Sequence, residues 1–413
     1  MRYFVESYGC TMNYGEGDEL SEKMGMLGHV PADSADDAQI VILNTCTVVD
    51  TTEKKMIERM SDLKKKGKDV IVTGCMAKAQ VSRVKVRLPE SLIIPPESYG
   101  DFQSCVEEQF GSSVPNVKNR IKTTAILPIA QGCVGNCSYC ITKKARGDLK
   151  SYDPAVLERR FREMIENGAK EILVTAQDTA CYGADIGTDL PSLLKMFLRA
   201  GGEYRIRIGM MNPNSLFGIA DGLADIFSDE RVYRFLHVPV QSGSDIVLER
   251  MNRHYTAEEF LSLVEKIRVK CPDISISTDL ISGFPGETEE DHQQSISMLK
   301  RLSADTVNVT RFSARPGTPA FSMGEQIHGR ISKERSREMT STKSDEAFER
   351  NMMMIGKRYR VLVTEIGKQG TVIARTGNYR PVGIHEELNL GEFVDVEITA
   401  AESTHLFGIT INK

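Results

Sequence analysis

Short apolar runs recur along the chain, alternating with longer polar stretches in which hydrophobic residues return every three or four positions. Within residues 1–112, RYFVESYGC, QIVILNTC and DVIVTGC read as strands. Helices are predicted near Asp18–Leu27, over Thr52–Lys66 and after DVIVTGC, and SLIIPP with DFQSCVEEQF closes the segment. That alternation predicts a small parallel α/β domain. A polar stretch, GSSVPNVKNR, separates it from the second segment.

From Ala125 the pattern restarts and repeats through six units, with strands at AILPIAQ, EILVTA, YRIRIGMM, RFLHVPV, ISISTDLISGF and TVNVTRFS. Amphipathic segments such as PAVLERRFREMIENG and TAEEFLSLVEKIRVK lie between them. Six units fall short of a closed eight-stranded barrel, so an open (β/α)6 barrel is expected over 125–325. Its reactive groups belong at the carboxyl ends of the strands. A charged helical connector is expected over 326–354. From 355 to 413, RYRVLVTEI, GTVIARTG, EFVDVEITAA and LFGITIN alternate apolar with polar residues, which predicts a small all-β barrel.

Composition narrows the setting. Hydrophobic residues at 40% and charged residues at 26% are those of a folded chain. No stretch reaches the apolar length of a membrane helix, and MRYFVESYGC has no signal-peptide pattern, so a cytoplasmic location without a membrane partner is expected. In a reducing compartment the nine cysteines favour metal ligation over disulfides. The net charge of −5 argues against indiscriminate nucleic-acid binding, leaving any RNA site to a local patch.

The sharpest chemical signal is Cys133-Val-Gly-Asn-Cys137-Ser-Tyr-Cys140, placed just after the first barrel strand. Three thiolates in so short a loop can hold three irons of a cubane and leave the fourth open to chelate S-adenosylmethionine (SAM). The C-x3-C-x2-C spacing, with Tyr139 before its last cysteine, resembles the radical-SAM signature. Structural zinc would want four ligands, and neither His nor a fourth Cys is near in sequence. Cys10, Cys46 and Cys75 each follow a predicted strand, and parallel strands bring such ends to one edge. A cluster, three buried core thiols, or a zinc site completed by His29 all fit that placement. Cys105, Cys181 and Cys271 show no partner pattern.

These stretches resemble the methylthiotransferase family of radical-SAM enzymes. The matching motifs are YGCTMN, LNTC, TGC, GCVGNCSYCITKKARG, HVPVQSGSD, MNRHYT, DLISGFPGET and FSARPGTPA. IARTGNYRPV is similar to the RNA-binding barrel called TRAM. ITKKARG, without the proline usual in bacterial branches, is similar to the archaeal and eukaryotic branch.

The resemblance implies an enzyme that replaces C–H by C–SCH3, with two 4Fe-4S clusters and two SAM molecules per turnover. Cys10, Cys46 and Cys75 would hold the sulfur-bearing auxiliary cluster; Cys133, Cys137 and Cys140 would hold the radical-SAM cluster. The implied target is C2 of N6-threonylcarbamoyladenosine at tRNA position 37, in the anticodon stem-loop, with an electron donor such as flavodoxin or ferredoxin. Rival substrates are isopentenyl-adenosine tRNA and a ribosomal protein side chain. A non-catalytic iron–sulfur RNA-binding protein is the rival from another class.

Tyr139, Gln177, Gln241 and Asp279 are candidate SAM contacts at the carboxyl ends of barrel strands, and each also suits local backbone satisfaction. Gly283 and Gly286 suit close approach of backbone to a ligand, with Thr288 as the next helix cap. His237 reads as a satisfied core histidine. For RNA, Arg146 beside Lys143 and Lys144 suits phosphate, and Arg375, Tyr379 and Arg380 suit phosphate contact with base stacking. A solvated charge run is the alternative for Arg146.

Overall fold

The computed structural model describes residues 1–48, 50–115, 122–368 and 370–411. Residues 116–120, the second half of the polar stretch between the first two segments, lie outside the described residues. Near-continuous apolar runs in the first segment form a parallel sheet in the order β2 (Val30–Pro31), β1 (Arg2–Ser7), β3 (Ile40–Thr45), β4 (Asp69–Gly74), β5 (Leu92–Ile93). Such runs follow from burial on both faces. Val41, Leu43, Val70 and Val72 pack on Met56, Met60 and Leu63, while Ile40, Ile42 and Ile71 pack on Leu20, Met24 and Phe102.

The first helix spans Thr11–Met26, starting earlier than Asp18. Its opening turns carry buried Asn13 and Glu16 and two glycines, so no apolar stripe announces them.

The second segment places β6 (Thr124–Pro128), β9 (Glu171–Thr175) and β10 (Arg205–Ile208) in one parallel sheet. β11 (Phe235–His237), β12 (Ser275–Ser282) and β13 (Thr306–Arg311) form a second. An Ile206–Val232 bridge links them into a six-stranded arc, open between β6 and β13. Two short strands, β7 (Ala130–Gln131) and β8 (Lys150–Ser151), pair antiparallel and bracket the Cys133–Cys140 loop.

Ile172, Val174, Ile206, Ile208, Leu236 and Ile276 join the core beneath the surrounding helices. Strand alternation turns Glu171, Arg207, His237, Ser277 and Asp279 to the concave inside. Thr256 and Thr288 each close a capping box at the start of a barrel helix, with Glu259 and Asp291.

The connector is one helix, Gly329–Met352. Arg335 anchors it to the loop after β12 by a 2.8 Å ion pair with buried Glu287. The tail forms a closed barrel in the order β14 (Arg358–Ile366), β15 (Val372–Arg375), β16 (Pro381–Ile384), β18 (Leu406–Thr410), β17 (Phe393–Ala401). The four-strand reading missed β16, whose four residues begin with proline and offer little alternation. Among the described residues no helix is long and apolar enough to cross a membrane.

Candidate active site

Both cysteine triplets lie at the carboxyl ends of parallel strands. Cys10 precedes the Thr11–Met26 helix, Cys46 follows β3, and Cys75 opens a short helix after β4. A Cβ on Gly9 would lie 2.7 Å from the Cys46 Cβ and 2.8 Å from its Sγ, and one on Gly74 would lie 2.4 Å from the Thr45 carbonyl. Glycine, at positive φ in both places, therefore lets these strand ends close together.

Burial pushes the Cys10 thiol up and Cys75 up to about 11. Cys46 adds to both rises, so the three sulfurs stand within electrostatic reach of one another. Buried thiols of this kind ionise readily only beside concentrated positive charge, which a cluster supplies. The donor set fits one. His29, the candidate fourth zinc ligand, sits beside the chain's first residue at the amino end of the sheet, opposite the cysteines. Among the described residues no three Cys, His, Asp or Glu side chains close tightly enough for a single metal ion.

The second triplet occupies a loop fixed from several sides. Gly132 takes φ +76° where any Cβ would meet the Asp148 carbonyl oxygen at 2.0 Å. Its amide donates to Gln177 Oε1 at 2.6 Å, and Lys143 Nζ donates to the Cys133 carbonyl at 2.5 Å. Ser138 donates to the Met251 and Arg250 carbonyls at 3.0 and 2.8 Å. The Cys133 and Cys137 sulfurs flank Gly135, 3.3 and 4.0 Å from where its Cβ would be. Burial raises Cys137, and neighbouring Cys140 and Cys133 add to the rise. This set of thiols also fits a cubane with one open iron.

Around that loop, Arg253 donates to Asn212 Oδ1 at 2.8 Å and to the Tyr139 hydroxyl at 3.0 Å. Tyr139 meets Phe284 edge-on at 6.2 Å. Cys181, without a pattern in sequence, donates to the Asp178 carbonyl at 3.1 Å; its neighbouring thiol, with the Gly135 amide that donates to Cys133 Sγ at 3.2 Å, draws the Cys133 thiol down against burial. Inside the arc, Asp279 Oδ1 lies 3.0 Å from His237 Nε2 and accepts from Asn308 Nδ2 at 2.8 Å. Burial would raise the Asp279 carboxyl, but these two partners and Arg253 hold it below its ordinary range. His237 is thus satisfied, on the chamber wall. Gln241 takes φ +77° and bridges to Leu280 on β12.

The assignments to RNA need correction. Arg146 is neither a phosphate contact nor a solvated charge: its side chain is 1% exposed and ion-paired with Glu16, itself 2% exposed. Burial opposes its charge, yet Glu16, Cys75 and Tyr99 hold its proton well above the guanidinium range. Tyr379 packs against Tyr233 at 4.8 Å and Phe235 at 5.0 Å, with Arg375 stacked over it at 4.8 Å. Arg380 ion-pairs with Asp305. This turn seats the tail barrel on the amino ends of the arc strands, its aromatic facing protein rather than a base. Missed in sequence were Arg253, Asn13 and Glu16; the signal for the last two was polar residues on a helix face that packs inward.

Family models match in the same order as the three segments: the uncharacterized protein family UPF0004 over residues 2–94, the Radical SAM superfamily over 127–299 and the TRAM domain over 353–411. A Pyrococcus horikoshii protein called probable threonylcarbamoyladenosine tRNA methylthiotransferase is 40% identical over 424 residues, covering 99% of both chains. The chain belongs to the threonylcarbamoyladenosine tRNA methylthiotransferase family. A Drosophila melanogaster methylthiotransferase of that name is 32% identical, covering 98% of this chain and 77% of its own. The methylthiotransferase shares its fold with the radical SAM methyltransferase TsrM of Kitasatospora setae, at TM-score 0.56 and 14% identity over 77% of this chain and 76% of that one. It is a radical-SAM enzyme that uses an iron–sulfur cluster and SAM.

Proposed function

We propose that this enzyme methylthiolates C2 of N6-threonylcarbamoyladenosine at position 37 of tRNA, in the anticodon stem-loop, using two SAM molecules and a cluster-bound sulfur. The observation that carries the reading is a pair of converging cysteine triplets joined by one short helix, in a chain of this family. Cys133, Cys137 and Cys140 hold the radical-SAM 4Fe-4S cluster, and Cys10, Cys46 and Cys75 the auxiliary one. When bound, the first supplies the electron that cleaves SAM to a 5′-deoxyadenosyl radical and the second supplies the sulfur. A C–H bond at C2 has no useful acidity, so side-chain bases would not activate it.

The chain's own residues orient and enclose. Gln177 and Lys143 hold the loop backbone, Arg253 fixes Tyr139 beside the cysteines, and Asp279 and Gln241 offer polar contacts to SAM from the chamber wall. Held below its ordinary range, the Asp279 carboxylate accepts hydrogen bonds from ribose hydroxyls without donating a proton. A flavodoxin- or ferredoxin-type donor supplies electrons. Exposed Lys144 and Arg311, at the cysteine end, suit phosphate contact better than the buried Arg146.

The test is anaerobic reconstitution of the full chain, incubation with SAM and unfractionated tRNA, and mass spectrometry of the nucleosides. The expected product is 2-methylthio-N6-threonylcarbamoyladenosine. A methylthio group on isopentenyl-adenosine instead, or an unchanged nucleoside profile with a modified ribosomal protein, would overturn the assignment.

A further inference from the structure

The structure assigns Arg146, held by Glu16 and Asn13, to positioning: it sets how the first cysteine triplet faces the second. The inference deepens the proposed reaction and rests on it for the identity of the clusters. Cys140 caps the helix Ile141–Arg146, and that helix packs on the one opening at Cys75. Six helical residues span about 9 Å. One rigid turn and a half thus runs from the last cysteine of one triplet to a guanidinium beside the other.

Arg146 reaches the first triplet through Asn13. Its Nη2 donates to Asn13 Oδ1 at 2.7 Å. Asn13 Nδ2 in turn donates to the Tyr8 carbonyl at 2.7 Å and the Thr45 carbonyl at 2.9 Å, gathering the ends that carry Cys10 and Cys46. Asn44 Nδ2 donates to the Asn13 carbonyl at 2.6 Å, and the Cys10 thiol lies 3.7 Å from Asn13 Oδ1. The Arg146 guanidinium also stands close enough to Cys75 for its charge to oppose the rise of that thiol.

Simple cohesion between domains would not call for this arrangement. A fully buried ion pair stabilises no better than apolar packing of the same size; its distinctive contribution is fixing one register. Cohesion also has another source here, since Arg315 reaches across to Glu53 at 3.3 Å and to the Val48 carbonyl at 2.9 Å. A planar fork that must meet Glu16 and Asn13 together tolerates little rotation.

The experiment compares the reconstituted full chain with an Arg146→Gln/Glu16→Gln double variant, which leaves no unpaired buried charge, and with Arg146→Lys. Electron paramagnetic resonance of the first-triplet cluster is recorded with Cys133→Ala added to each chain. Product and 5′-deoxyadenosine are measured with both triplets intact. Expected in both variants are retained iron, 5′-deoxyadenosine formation without tRNA close to the parent's, and a changed resonance spectrum. Product per 5′-deoxyadenosine should fall by about 100-fold, the cost of misplacing reacting groups by an ångström.

A parent-like spectrum and product ratio in the double variant would overturn the inference. So would loss of iron from both triplets with a parallel fall in SAM cleavage, the mark of a merely structural pair. Complete restoration by lysine would show that charge alone matters and also overturn it. The resonance comparison needs no tRNA, so failure of the parent to make the expected nucleoside would count against the substrate assignment alone.

Discussion

Replacing Tyr379 by alanine removes one of the side chains through which the C-terminal barrel meets the arc. Its ring touches Tyr233, Phe235, Arg375 and, at 5.7 Å, Arg207. Truncating a fully buried aromatic costs about 3–5 kcal/mol, and partial exposure of Tyr379 brings that to about 2 kcal/mol. Edge-to-face contact with Tyr233 adds about 1 kcal/mol. A sum of about 3 kcal/mol shifts the docking equilibrium by about 100-fold. Hydrogen–deuterium exchange should show faster exchange at the Arg234 amide, which donates to the Gly377 carbonyl at 2.9 Å. Tyr379→Phe should leave exchange unchanged, because the ring contacts remain. In a double-mutant cycle with Tyr233→Ala, about 1 kcal/mol should appear as coupling. If Tyr379→Ala weakened tRNA binding while exchange stayed at its original rate, the ring would be stacking on a base and this assignment would fail.

Cys133→Ala should abolish SAM cleavage and halve the iron content, whereas Cys46→Ala should halve the iron and keep SAM cleavage but yield no methylthio nucleoside; iron assay with product chromatography reads both. In the metal-free chain, Cys133 should be alkylated at lower pH than Cys137, because a depressed pKa populates the thiolate earlier. Cys181→Ala should narrow that difference in a pH series followed by mass spectrometry, and an unchanged gap would refute the role given to the neighbouring Cys181 thiol. Arg335→Met should cost about 3–5 kcal/mol by leaving Glu287 buried without its partner. Burial already raises the Glu287 carboxyl, so the folded chain holds its proton above the unfolded value. The penalty should therefore shrink as pH falls through the raised value, and melting curves at several pH values check the sign.

Much of the site is legible in the sequence, because its elements are local. Cys133, Cys137 and Cys140 share one loop, and Cys10, Cys46 and Cys75 each follow a strand whose direction the αβ alternation dictates. Arg146 could not be read that way. A cation following a cysteine loop has the same local signature whether it meets phosphate or a carboxylate, and Glu16 lies 130 residues away in sequence. The same holds for Arg375, Tyr379 and Arg380, whose cation–aromatic grouping suits a base as well as it suits Tyr233. Local pattern reports what a side chain can contact; only tertiary pairing selects the partner.

The gap in the six-stranded arc lies between β6, flanked by the Thr11–Met26 helix, and β13, flanked by the Gly329–Met352 helix. Both jambs of that slot come from outside the strands that line the chamber. The first of these helices also carries Asn13 and Glu16, so a substitution along it bears on the rim of the arc and on the cysteine triplet at once, whereas one in the Gly329–Met352 helix bears on the rim alone.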